Sequence, residues 1–382
     1  MIFDAIVVGG GPSGSTAARA LVARGLRVAV VDRATFPRVK LCGGWVSPAI
    51  WDALQIEPRE YPGALWEWHT AHVRFREHDH PVPCHGWFIR RFELDDFLLR
   101  RSGAELHLGV AVKQPERTPD GLWSVAGLTS RILIGAGGTH CPVARLIVTG
   151  RRNGPVGAQE VEMRADSNEI ASRRVGDDGE PELLLFDDGS GYGWNVPKSD
   201  WINVGCGTID PHKVREAWRG TYDYLRASHH IPDAIDRDDV RGHSYYLFDP
   251  TLLDQAAQVD ADGKGGAFVV GDALGLAHPV TAEGILPSVL SARCLADAIV
   301  AGDLASYPER LRRDPTLADY RRIHTAVELA SAMRTKWRAR GPSRFTLPVP
   351  HRAVARAFAW MFSGAKLPAP RLIDRLLPRG RA

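Results

Sequence analysis

Cysteine is scarce and scattered in this chain. The five thiols, Cys42, Cys84, Cys141, Cys206 and Cys294, are odd in number and form no C-x-x-C pair. That argues against a disulfide framework and against an iron–sulfur or structural zinc cluster. No apolar run approaches the roughly 18 residues needed to cross a bilayer. The opening FDAIVVGGG carries an acid at Asp4 and shows neither a basic n-region nor a cleavage site, so a cytoplasmic location is expected. Repeats and low-complexity tracts are missing too. Acid is nearly absent from the last stretch: from Ser331 onward, twelve Lys/Arg face only Asp374, a surplus of +11 that leaves about −8 for the rest of a chain of net charge +3. This tail also carries Trp337, Phe345, Phe358, Trp360 and Phe362. It reads as a basic helical segment, 331–382, either packed on the body or touching an anionic membrane or an acidic partner protein. No nucleic acid is expected as a partner, since no other stretch looks like a nucleic-acid-binding motif.

What is present is an ordinary globular composition, 44% apolar and 24% charged, and one glycine motif in its proper context. AIVVGGGPSGSTAARALVARGLRVAVVDR begins with a short apolar run, as a buried parallel strand would. Gly9, Gly11 and Gly14 then fit G-x-G-x-x-G, with Pro12 and Ser13 between them. A helical spacing of Ala17, Ala20 and Leu21 follows, Gly25 closes it, and a second apolar strand ends on Asp32, followed by Arg33. Gly9 permits a tight turn, Gly11 lets the backbone approach a pyrophosphate, and Gly14 lets helix and strand pack closely. The helix start offers free N–H groups to phosphate. Asp32 is placed to accept ribose hydroxyls, which favours an unphosphorylated adenosine ribose, as in FAD or NAD. Other glycine-rich stretches (GDDGEPE, GSGYGW, ADGKGG) lack the strand–helix frame, so one firmly bound dinucleotide is expected.

Three further stretches turn the dinucleotide into FAD. FIRRFELDDFLL reads as a strand end and helix, RILIGAGGTHCPVAR as an apolar strand and glycine turn, and GGAFVVGDALGLAHPVTAEGILPSVLSARCLADAI as a strand, a Gly-Asp turn and a helix from about Ala282. With these the chain resembles the FAD-dependent geranylgeranyl reductase family, within the larger group of aromatic hydroxylases and flavin-dependent halogenases. FPRVKLCGG is similar to that family's proline, lysine and cysteine segment beside the flavin. Arg91 and Asp95 fit its R-x-x-[FL]-D element, GDALGLAHPVTAEGI its GDAAGxxxPxxxEGI segment, and GYGWNVPKSDWINVGCG its GYxWxFPKxxxxNVGxG segment. The matches keep their order from residue 3 to about 300; the last ~80 residues are not constrained by them. One departure stands at Gly135–Gly138, where GAGG replaces the hydroxylase GADG and weakens a hydroxylase reading.

The resemblance implies an α/β fold in which a Rossmann-like FAD lobe (1–60, 90–150 and 260–330) is interleaved with an antiparallel-sheet substrate lobe (61–89 and 151–259). The implied FAD contacts are Gly9, Gly11, Pro12, Ser13, Gly14, Asp32, Arg33, Cys42, Gly43, Gly44, Arg91, Gly137, Gly271, Asp272, Gly284 and Ile285. Asp272 would meet a ribityl hydroxyl, and the helix start at Gly284–Ile285 would place its positive end near the flavin pyrimidine. Arg91 offers a fork to phosphate or ribityl oxygens, with an ion pair to Glu93 or Asp95 as its other reading. HVRFREHDHPVP and GWFIRR read as strands around a turn. PVGAQEVEMRA, PELLLFDD, GYGWNVP and WINVGCGTI read as consecutive strands, and HKVREAWRGTYDYLRAS as a helix.

The resemblance further implies reduction of C=C bonds in an apolar, isoprenoid-like substrate. Cys42, Tyr192 and an ordered water are then candidate proton sources, and Tyr192 and Trp194, on one strand face, line the pocket. The electron donor would be NAD(P)H or a ferredoxin-like protein. Competing readings are a monooxygenase or halogenase, an electron-transfer flavoprotein, and a non-catalytic isoprenoid-binding protein. Halogenases carry W-x-W-x-I-P where this chain has YGWNVP, and KLCGGWVSP replaces their histidine-glycine-glutamate segment. His78, His80, Cys84 and His85 form a histidine-rich patch that reads as a hairpin tip, and no metal is expected.

Overall fold

Short Val/Ile/Ala strands buried on both faces pair in parallel when helices carry the chain back between them. Ile2–Val8 pairs in parallel with Val28–Asp32 and with Leu128–Gly135. The sheet runs Glu105–Leu108, Val28–Asp32, Ile2–Val8, Leu128–Gly135, Gly266–Val269, with Ala257–Val259 antiparallel at its edge. The chain order reverses between Ile2–Val8 and Leu128–Gly135, the switch point beyond whose strand ends ligands bind in such sheets. The helices Pro12–Val22 and Ile285–Val300 both start there. The computed structural model describes residues 2–151, 154–176, 179–338 and 350–364. Residues 339–349 and 365–382, most of the basic tail and Phe345 with it, lie outside the described residues, as do the side chains of 333–338, including Trp337.

The second sheet runs Arg241–Tyr245, Val156–Arg164, Trp201–Thr208, Gly191–Lys198, Glu182–Leu185, Trp66–Phe75, His78–Phe88, Trp45–Val46. All its pairs are antiparallel except Glu182–Leu185 with Trp66–Phe75. The period of two sorts its side chains. Ile202, Val204 and Cys206 face the helix Val214–Ala227 through Trp218 and Leu225. Trp68, Trp194 and Ala158 face the other way, toward Phe358 and Phe362 of the helix His351–Phe362. The α/β fold with a Rossmann-like lobe and an antiparallel lobe is therefore as expected.

Local readings differ in three places. The hairpin turn lies at Arg76–Glu77, with Arg76 at φ 57, and HDHPVPCHGWF is a single strand. Pro81 and Pro83 are tolerated there because, beyond the two-residue partner Trp45–Val46, this strand is the sheet edge. A short helix, Ser167–Arg173, interrupts the run of strands. The last motif helix begins at Ile285 rather than Ala282, which itself stands at φ 60.

The lobes are joined by one crossing that matters for the site. The chain leaves the first sheet at Asp32 and enters the second at Trp45, so residues 33–44 bridge the two. The described part of the basic tail packs on the body: Ala355, Phe358, Ala359 and Phe362 are buried, and Trp45 Nε1 donates to the Phe362 carbonyl at 3.2 Å.

Candidate active site

Between the lobes lies a cavity of about 970 Å³, at the upper end of the roughly 300–1,000 Å³ typical of ligand sites. It begins at the first glycine turn. A Cβ on Gly14 would lie 1.8 Å from the Gly9 carbonyl oxygen, and Gly9 itself stands at φ +115 against Ala136. The turn is therefore possible only without side chains at either position. Asp32 closes it from the neighbouring strand, accepting from Gly10 N–H at 2.7 Å and Ala34 N–H at 2.8 Å. The helix that follows has Gly11 as its N-cap and no side-chain cap, and the helix at Ile285 has Gly284 in the same role. Two uncapped helix starts thus open on one cavity, each presenting N–H groups and a partial positive charge.

Of the residues proposed from sequence for the cofactor, Gly9, Gly11, Pro12, Ser13, Asp32, Arg33, Cys42, Gly43, Gly44, Arg91, Gly137, Asp272, Gly284 and Ile285 all line this cavity. Gly14 and Gly271 do not. Gly14 lies beneath the Gly9 carbonyl, and Gly271 N–H donates to Ser291 Oγ at 3.0 Å. Gly44 has a reason of its own for being glycine: at φ +75, a Cβ would lie 2.0 Å from the Ile89 carbonyl oxygen.

The middle of the cavity carries charge of both signs. Arg91 is forked onto Asp95, at 2.6 Å through Nε and 2.8 Å through NH2, and Arg38 reaches the same carboxylate at 3.0 Å. Asp95 is fully buried, so its pairing with two guanidiniums leaves a net positive wall rather than a neutral pair. Burial opposes the Arg91 charge, but Asp95 outweighs it and raises the guanidinium pKa. Arg91 therefore spends its fork on Asp95 and reaches a cofactor only with what remains. Lys40 lines the same wall, and burial, then Arg91, pushes its pKa down. Burial pushes Asp272 up, with Lys40 and Arg91 opposing.

The far half is aromatic and comes from the second sheet. Tyr192 and Trp194 lie on one face with ring centroids 5.9 Å apart. The Tyr192 hydroxyl donates to the Thr281 carbonyl at 2.5 Å, and burial raises its pKa well above the ordinary phenol value. It offers the cavity its ring more than its proton. Trp194 Nε1 donates to Asn203 Oδ1 at 2.6 Å. Cys42 Sγ accepts from Gly44 N–H at 3.3 Å. Phe362 closes this end, 5.7 Å from the Tyr192 ring.

Sequence reasoning missed several cavity residues: Glu160, His243, Tyr245, Glu283 and Phe362. Burial pushes Glu160 and Glu283 each up to about 7 and His243 down to about 3. The acid at every second position of AQEVE was a legible signal, since Ala158 and Glu160 must share a strand face. Nothing in RGHSYY marked His243 or Tyr245. The histidine patch at 78–85 does not converge as one group. His85 instead pairs with Glu67 at 2.7 Å and stacks on His69, while His78 approaches His351.

The fit to FAD rests on this geometry: a glycine turn with an acid beside it, two uncapped helix starts, a cationic wall and an aromatic far half in one cavity. A fold and site of this kind define an FAD-dependent oxidoreductase, and the comparisons agree. A family model for an NAD(P)-binding Rossmann-like domain matches residues 7–46. The chain is 29% identical over 337 residues to a menaquinone reductase of Mycobacterium tuberculosis, covering 79% of this chain and 78% of that one. It is 26% identical over 338 residues to a geranylgeranyl diphosphate reductase of Synechocystis, covering 79% and 76%. Among solved structures, a geranylgeranyl bacteriochlorophyll reductase-like protein of Thermoplasma acidophilum superposes with TM-score 0.65 at 20% identity over 86% of this chain and 87% of that one. A flavin-dependent brominase superposes with TM-score 0.68 at 17% identity over 98% of both. The protein is an FAD-dependent oxidoreductase similar to geranylgeranyl reductases, as its motifs suggested.

Proposed function

We propose that this enzyme saturates isolated C=C bonds of an isoprenoid-like substrate. The observation that carries the reading is the continuity of one cavity, with a dinucleotide cradle at one end and the Tyr192, Trp194 and Phe362 rings at the other. The names of the relatives, which act on geranylgeranyl diphosphate and menaquinone, support the substrate class.

Bound FAD, once reduced, supplies a hydride equivalent. The chain's own residues bind, orient and keep dry. The helix starts at Gly11 and Gly284, with Gly9, Pro12, Ser13, Asp32, Arg33, Gly137 and Asp272, hold the dinucleotide. The segment Cys42–Gly44 would flank the bound cofactor, and Arg38, Lys40 and Arg91 would balance the negative charge of phosphates and reduced flavin. Gly14 and Gly271 serve by packing. Tyr192 and Trp194 hold the alkene flat and exclude water, which raises the worth of every charge inside. Cys42, whose Sγ accepts from Gly44 N–H, is a second candidate proton source beside the carboxyl groups of the cavity. In our reading Tyr192 acts through its ring.

No helix of the described residues is long and apolar enough to cross a membrane. A lipid-like substrate is reached most simply by a cytoplasmic enzyme that touches the bilayer peripherally through its basic segment. Electrons would come from transiently bound NAD(P)H or from a ferredoxin-like protein, because only one dinucleotide motif is present. The deciding experiment is anaerobic. Enzyme reduced with dithionite is mixed with geranylgeranyl diphosphate or menaquinone, and product mass is followed. Saturation, seen as a gain of two hydrogens per event on the prenyl chain and not on the quinone ring, supports the reading. No product without oxygen, together with substrate-dependent oxygen uptake in air, points to a monooxygenase or halogenase instead. Cys42→Ser with unchanged turnover and flavin spectrum removes that thiol from the mechanism.

A further inference from the structure

We propose that the Glu160 carboxyl is the proton donor to the substrate, with Asn203 as the residue that positions it. The inference rests on the C=C reduction reading above and assigns a chemical role within that site.

Glu160 is 1% exposed, yet it lines the cavity. Its Oε2 has no hydrogen-bond partner among the described residues, and its Oε1 receives only a long contact from Asn203 Nδ2 at 3.5 Å. A buried carboxyl oxygen without a partner is destabilising, and a polar atom left open toward a ligand cavity is one that a ligand or a proton can satisfy. The strand register makes the direction clear. Glu160 shares its face with Ala158, and Ala158 pairs with His243, so Glu160, His243 and Tyr245 present to one side.

Of the other acids of the cavity, Asp272 is half-buried and faces Lys40 and Arg91. Asp32 accepts two backbone N–H groups, Glu283 accepts from Ser47 Oγ at 3.4 Å, and the Tyr192 hydroxyl donates to Thr281. Glu160 alone among these couples burial with an unused oxygen. The charged and titratable groups acting on it are Lys40, Glu162 and Lys198, and the first and last of these favour its ionised form. Burial outweighs them and holds the group up to about 7, near the value at which a general acid works best at neutral pH. Lys198 is itself paired with Glu162 at 2.8 Å.

Asn203 is the hub. It accepts from Trp194 Nε1 and donates to Glu160 and, at 3.3 Å, to the Cys42 carbonyl. One amide thus sets the acid relative to the aromatic wall and to the loop that runs beside the cofactor. In the step itself the C=C π bond breaks. One carbon takes a hydride, with both electrons, from the reduced flavin, and the other takes the Glu160 proton. The carboxylate left behind is steadied by the Lys40 ammonium and regains its proton from water.

The test uses holoenzyme and two readouts. Anaerobic stopped flow follows reoxidation of dithionite-reduced enzyme by geranylgeranyl diphosphate, with menaquinone scored by saturation of its prenyl chain in the product, and infrared spectroscopy follows the C=O stretch of protonated carboxylic acids. Glu160→Gln should slow reoxidation about 100-fold with FAD affinity unchanged. It should also abolish the fall in rate as pH rises through about 7 and remove one protonated-carboxyl band. Glu160→Ala should regain activity with added formic acid, which guards against a merely structural loss. An active wild type alongside a Glu160→Gln variant of equal rate and pH profile, or with an unchanged infrared band, overturns the assignment. A wild type inert toward both substrates overturns the C=C reading, and the role of Glu160 falls with it.

Discussion

The two halves of the cavity are made of different material. The cofactor half is mostly backbone: a glycine turn, two uncapped helix starts and one carboxylate bound by N–H groups. The substrate half is mostly side chain, brought from strands far apart in sequence and from a helix near the end of the chain. At Gly9, Gly14 and Gly44 the backbone leaves no room for a Cβ, whereas a side-chain wall can be repacked. The first half should therefore fail all at once and the second by degrees.

The largest effect is expected at Gly14→Ala, whose Cβ would collide with the Gly9 carbonyl. The purified variant should be colourless, and a variant that keeps stoichiometric FAD by absorbance would break the contrast. Next comes Asp95→Ala, which strands Arg91 and Arg38 in the wall. Removing one partner of a buried pair costs about 3–5 kcal/mol, to be read by chemical denaturation.

The pH dependence of stability sharpens the substrate half. A carboxyl whose folded pKa is raised binds a proton more tightly in the native state. Its stabilising effect is present below the unfolded value and is lost as pH climbs through about 7. Glu160→Gln should therefore lose this decline and be more stable than wild type at pH above about 7, by at most about 3 kcal/mol at about 1.4 kcal/mol per pKa unit. Thermal melts of both proteins across that range check the sign.

Phe362→Ala, which opens the far end, should raise KM about tenfold, or about 1.4 kcal/mol, and leave FAD affinity unchanged by titration. The smallest effect belongs to Tyr192→Phe, which removes the bond to Thr281. The expected loss is about 1 kcal/mol of stability with turnover within about threefold. A hundredfold loss of turnover would restore the hydroxyl to the chemistry.

The same contrast explains what was legible. Gly9, Gly11, Asp32 and the 284–285 helix start were readable because a turn and a helix terminus are local: a few consecutive residues set them, and their chemistry comes from N–H groups every residue has. Tyr192 and Trp194 were half-readable, since strand alternation put them on one face, but that the Tyr192 hydroxyl is tied to Thr281, 89 positions away, was not. Glu160 was visible as an alternating acid and invisible as a cavity wall. The hairpin around 76 was misplaced because prolines argued for a turn, and only the edge position of that strand made them acceptable.

By itself, the sequence determined that the chain opens on a strand–turn–helix of the dinucleotide-binding kind and that the lobes are α/β and antiparallel, because these follow from residue spacing and the period of each element. Tertiary structure alone decided what closes the cavity and which acid is left open in it. Trp45 meets Phe362 across 317 positions, and Asn203 gathers Trp194, Glu160 and the Cys42 carbonyl. Such contacts depend on which strands pair and in what register, and no local spacing encodes a pairing between segments that meet only once the chain has folded.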